Sequence, residues 1–202
     1  MVVFSFYIFN IYYMEKFTKL QNRNNSSERK DDILFDGEHF KVIKFEDWSL
    51  LKDKDIAICI IYLVEKNEII LRHEYIPTYK YVDKQDFHLT LVGGSIENDE
   101  TPEIAMIREI EEEAGIIIDS EYKLEPLKPL FISKGCVNKY HPFIIPLMEN
   151  DYTETIAKGD GTKIEKISKS VRLDTKYIKA INSSDLITDY MLIKIKQYLN
   201  IL

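Results

Sequence analysis

Three carboxylates are the residues of this 202-residue chain best placed to do chemistry: Glu109, Glu112 and Glu113. At i, i+3 and i+4 they share one face of a helix. Like charges at that spacing repel, each pair costing about 0.2–0.5 kcal/mol on an exposed helix. Two readings follow. One is a solvated acidic face. The other is a seat for a hard divalent cation, because Mg²⁺ takes oxygen ligands and is held by one or two carboxylates together with substrate phosphates. The neighbours favour the second reading. Gly94 stands fifteen residues before Glu109, Glu100 lies between them, Arg108 adjoins the triad and Gly115 follows it. A solvated face needs neither that glycine nor that arginine.

These residues require an element to position them, and the local letters supply one. Thr101 is the candidate N-cap and Pro102 suits the first helical position, where its missing N–H costs nothing. Gly115 provides the left-handed residue that ends the helix after Ala114. Ile104, Ile107, Ile110 and Ala114 recur at three- and four-residue steps, which predicts an apolar stripe facing the core with the glutamates on a different face.

The whole stretch, GSIENDETPEIAMIREIEEEAGI from Gly94 to Ile116, reads G-x5-E-x7-R-E-I-x-E-E-x-G-I. It resembles the Nudix box at every specified position. The resemblance implies a loop–helix–loop carried on an α/β/α sandwich with a mixed sheet, and hydrolysis of a nucleoside diphosphate linked to another group. It implies that Glu109, Glu112 and Glu113, joined by the backbone carbonyl of Gly93, hold Mg²⁺ or Mn²⁺. It gives Arg108 the task of fixing the glutamates through ion pairs.

Composition sets the frame. The length suits one domain with an added arm and is enough to bury a full core. With 45% hydrophobic and 30% charged residues the chain reads as soluble and globular. A formal net charge of −7 disfavours a nucleic-acid backbone as main partner. A small polyphosphate remains compatible if cations bridge the like charges. Cys59 and Cys136 are the two cysteines, with no zinc or disulfide spacing, so a reducing, cytoplasmic setting is the expectation.

Met1–Tyr13 is apolar and aromatic without a charge, too short to span a bilayer and without the basic start of a signal peptide. It reads as a packing strand, a dimer arm, or a stretch upstream of a start at Met14. Residues 16–32 read as a polar connector, and a single domain is expected from Ile33 to Leu202. Strands are predicted over Phe40–Phe45, Ile56–Val64, Ile69–Tyr75, Phe87–Val92, Leu124–Phe131, His141–Leu147 and Lys166–Leu173, with a closing helix over Asp185–Leu199. Trp48 is a core or edge anchor, or a platform for a base. His73 reads as a surface strand histidine and Cys136 as a small thiol without an acid–base partner.

Beyond the box the sequence resembles ADP-ribose pyrophosphatases in part, from Ile33 to the C-terminus. Their phosphate-touching Gln-x-Arg element falls on His73, Glu74 and Tyr75, so that arginine is absent; Arg72 or Lys80 is the replacement, and Tyr75 a candidate ring stack. Their Ser-Pro-Gly segment falls on Ser133-Lys134-Gly135. Arg72, Tyr75, Gly94, Ser133 and Gly135 are therefore the substrate-binding candidates. The resemblance also places a water-directing acid on the long loop Glu149–Glu165: Glu165 first by position, Asp160 and Glu154 behind it, with Glu112 as the alternative within the box. ADP-ribose or an ADP-sugar is the implied substrate and a homodimer the implied assembly. Hydrolysis of another dinucleotide (NADH, FAD or a diadenosine polyphosphate) and a non-catalytic nucleotide-binding module are the alternatives.

Overall fold

The computed structural model describes residues 32–201, apart from 38–39, 160, 162–165 and 184. The N-terminal segment and Glu165 and Asp160 therefore lie outside the described residues.

Runs of β-branched residues build the centre. β1 (Asp32–Asp36), β2 (Lys41–Phe45) and β3 (Trp48–Lys52) form a three-stranded sheet of their own. β4 (Ile56–Leu63) turns through left-handed Asn67 into its antiparallel partner β5 (Glu68–Tyr75). After α1 (Pro77–Asp83), β6 (Phe87–Thr90) and β7 (Val92–Ser95) follow as one segment that changes partner at Leu91. β6 pairs with the end of β5, and β7 with the start of β4. β8 (Ile116–Ile118) and β9 (Leu130–Phe131) precede β10 (Lys139–Leu147), which lies parallel to β4 with Tyr140 opposite Ile56. β11 (Tyr152–Glu154) pairs with β8, and β12 (Lys169–Asp174) closes the free edge of β5. The central sheet thus has seven strands and mixed direction.

Strand alternation sorts its side chains between two cores. Ala57, Cys59, Ile61 and Ile70 meet Ala105, Met106 and Ile110 of the box helix, which comprises α2 (Pro102–Glu109) and a π-helical turn, Ile110–Ala114. Ile58, Ile60, Ile69 and Leu71 meet Ile187, Met191, Leu192 and Ile195 of α3 (Leu186–Tyr198). The expected α/β/α sandwich is the observed one. Asp185 caps α3 by accepting from the Thr188 N–H at 2.7 Å.

Several local expectations need correction. Leu124–Phe131 is a strand only at Leu130–Phe131, because Pro126 and Pro129 each remove a ladder donor. Lys166–Leu173 pairs only from Lys169 onward. Trp48 is 55% exposed, so it is no core anchor. The apolar stripe of the box helix has a different phase: Ile104 and Ile107 are exposed, whereas Ala105, Met106, Glu109, Ile110 and Glu113 are buried. Two inward positions are glutamates, so counting apolar letters rotated the helix away from its true inner face.

Candidate active site

The box helix begins as its letters dictate. Thr101 Oγ1 accepts from the Ile104 N–H at 3.3 Å, and Pro102 occupies the first turn. Its last turn is π-helical, and Gly115 ends it at φ 64°. A Cβ there would overlap the Thr155 carbonyl. The chain from β11 onward is tied to this end: the Thr155 N–H donates to Gly115 O at 2.8 Å and the Gly159 N–H to Glu112 O at 2.9 Å.

The helix delivers its glutamates to a cleft of about 310 Å³ bounded by the Gly93–Ser95 backbone and by Glu74, Glu97, Arg108, Glu109, Glu112 and Glu113. Arg108 spans the rim. Its Nε and Nη2 donate to the two oxygens of Glu100 at 2.8 and 2.9 Å, and Nη2 also reaches Ser95 O at 3.0 Å. Nη1 donates to Glu109 at 2.6 Å and to Glu112 at 3.1 Å. These hydrogen bonds, first that from Arg108 and then one from the Glu97 N–H, hold the Glu100 carboxyl down to about 2. Arg108 thus pairs with both Glu109 and Glu112, and its charge answers the repulsion between them.

Glu113 is held differently. Its Oε1 lies 3.0 Å from Arg72 Nη2 and its Oε2 accepts from the Gly93 N–H at 2.8 Å. The closeness of β7 to the helix depends on bare glycine: a Cβ on Gly94 would overlap the Glu109 carboxylate. Beneath the box, Cys59 is fully buried. Burial, and then the charges of Glu113 and Glu109, push its thiol well above its usual range.

The cleft brings together Gly93, Gly94, Arg108, Glu109, Glu112 and Glu113 from the sequence candidates. Arg72 lies under it, 2% exposed. Tyr75 packs edge-on against Phe87, with ring centroids 6.1 Å apart. His73 is exposed and stacks on Phe87, as a surface strand histidine would. Ser133 and Gly135 form a turn whose Gly135 carbonyl accepts from Leu51 of β3 at 2.7 Å. Lys80 pairs with Asp86, and Glu154 with Lys66 and Arg172. Sequence reasoning assigned no role to Glu74, whose Oε2 accepts from Thr90 Oγ1 at 2.9 Å. Its signal was the two-residue step from Arg72, which puts both on one face of β5.

In donor type the cleft fits a hard divalent cation, with carboxylates and backbone carbonyls as its oxygen donors. Among the described residues no three of its acidic side chains converge as a ready cage; Arg108 occupies the space between Glu109 and Glu112.

The protein-family model for the NUDIX domain matches residues 53–180. The chain belongs to the NUDIX family. This Nudix domain covers the sheet from just before β4 to the end of the 3₁₀ turn Thr175–Ala180. A crystal structure of an ADP compounds hydrolase is similar in fold, with a TM-score of 0.60 at 18% sequence identity, covering 87% of this chain and 97% of that one. None of the curated proteins matches the Nudix chain. Among the described residues no helix is long and apolar enough to cross a membrane.

Proposed function

We propose that this Nudix protein hydrolyses the pyrophosphate bond of a nucleoside diphosphate linked to another moiety, with ADP-ribose or an ADP-sugar as substrate and AMP and a sugar phosphate as products. The observation that carries the reading is the gathering of Glu109, Glu112 and Glu113 in one cleft over the Gly93–Gly94 backbone. The resemblance of residues 33–202 to ADP-ribose pyrophosphatases, and the fold shared with an ADP compounds hydrolase, support the choice of substrate.

Glu109, Glu112, Glu113 and the Gly93 carbonyl would hold Mg²⁺ or Mn²⁺. When bound, such ions polarise phosphoryl oxygens and raise the nucleophilicity of water. The chain's own residues do the rest. Five glutamates line the cleft, so a diphosphate enters only with its charge neutralised. Arg108 Nη1, shared by Glu109 and Glu112, offsets their repulsion and orients both. Glu112, or Glu165 on the loop, turns water toward one phosphorus for in-line attack. The absence of a cation at Tyr75, where the relatives carry arginine, keeps NADH, FAD and diadenosine polyphosphates in the comparison.

The test is product analysis with Mg²⁺ and with Mn²⁺ over ADP-ribose, NADH, FAD, diadenosine polyphosphates and capped RNA, with Glu113→Gln alongside. AMP released from ADP-ribose by wild type, and not by the variant, is the expected result. No turnover of any compound would replace hydrolysis with nucleotide binding.

A further inference from the structure

Three polar residues lie side by side across three strands beneath the box helix. Ser170 of β12 stands opposite Arg72 of β5, and Arg72 opposite Thr90 of β6. Two of them hold the same glutamate. Arg72 Nη2 is 3.0 Å from Glu113 Oε1 and its Nη1 approaches the Glu113 carbonyl at 3.5 Å; Ser170 Oγ donates to that carbonyl at 2.7 Å. Arg72 is 2% exposed and Glu113 5%, so the ion pair between them is buried below the cleft floor. A carboxylate offers about four lone-pair sites. Arg72 and the Gly93 N–H engage different oxygens of the Glu113 carboxylate, so the two contacts together fix its orientation.

We propose that Arg72 is a positioning residue that orients Glu113 toward a divalent cation and does not bind substrate phosphate. The two arginines divide the work: Arg108 braces Glu109 and Glu112 from the rim, and Arg72 braces Glu113 from the sheet. The inference rests on the metal-holding role given to the box above. Removing the hydrogen-bond partner of a metal-ligating group costs about 10–100-fold in metal affinity or activity.

The experiment is Mn²⁺ titration of the full chain without substrate, reading free Mn²⁺ by electron paramagnetic resonance. Wild type, Arg72→Lys, Arg72→Met, Glu113→Gln and the double variant Arg72→Met/Glu113→Gln are compared, with steady-state kinetics on ADP-ribose beside them. Lysine keeps the buried charge but has no fork. Arg72→Lys is therefore expected to lose about 10–100-fold in Mn²⁺ affinity and to lower kcat while KM for ADP-ribose holds. In the double variant the Arg72 change should add nothing to Glu113→Gln. If Arg72→Met does not fold, Arg72→Lys carries the same readout. Unchanged Mn²⁺ affinity with a raised KM in Arg72→Lys overturns the proposal and returns Arg72 to phosphate binding. Wild-type protein that takes up no Mn²⁺ overturns the metal site as well, which separates the two failures.

Discussion

Glu113 is engaged at both its carboxylate and its backbone carbonyl, by Arg72, the Gly93 N–H and Ser170. Glu113→Gln keeps the shape and replaces one acceptor oxygen by a donor amide facing either Arg72 or Gly93. Loss of most hydrolysis with a retained circular dichroism spectrum is expected; full turnover by a folded variant would sink the assignment. Gly94→Ala belongs to the same scale, because its Cβ would push the Glu109 carboxylate aside. Activity should fall while the melting temperature changes little. Glu100 gives a pH signature. Its carboxyl is held at about 2 in the native state against 4.5 as its ordinary value, so the unfolded chain binds the extra proton first as pH drops. The stabilisation it contributes is fully present above pH 4.5 and lost as pH falls toward 2. Arg108→Gln should flatten that part of the melting-temperature profile, measured between pH 6 and pH 3; an unchanged slope would count against the brace.

At the scale of elements, the box helix is a strut between sheet and loop. Its π-helical end turns Glu112 O toward the Gly159 N–H and Gly115 O toward the Thr155 N–H. Gly115 is where the strut stops, in a left-handed conformation that costs a side-chain-bearing residue about 1–2 kcal/mol. Gly115→Ala adds a collision with the Thr155 carbonyl. A loss of at least about 1–2 kcal/mol is expected, read as a melting temperature lowered by at least about 2–4 °C. Because the same change shifts the loop that leaves β11, activity should drop more than stability alone explains. A melting temperature equal to wild type would show that the turn relaxes without strain.

For the molecule as a whole, the sheet is the reference surface from which everything else is placed. Phe143 is fully buried on β10, in the core shared by the box helix and β4. Phe143→Ala removes contacts on which the helix rests, and about 3–5 kcal/mol of stability should go with them, checked by denaturant melts with unchanged m-value. Much of this frame was legible in the letters. Ile56–Val64 announced a buried strand by its β-branched continuity, and Asp185–Leu199 announced α3 by the helical spacing of its apolar residues. Gly94, Arg108, the three glutamates and Gly115 announced the box through their resemblance to the Nudix pattern. What stayed hidden was long-range. The rotation of the box helix was misjudged because Glu109 and Glu113 point inward, where a residue-by-residue count expects apolar letters. Local chain chemistry determined which residues carry charge, where the box helix starts and stops, and which segments bury themselves. Only the tertiary structure decided that Arg72, thirty-seven residues before Glu109, pairs with Glu113, and that Glu74 lines the same cleft as the box glutamates. Strand pairing and helix packing set those meetings, and they depend on the register of distant segments that no local pattern encodes.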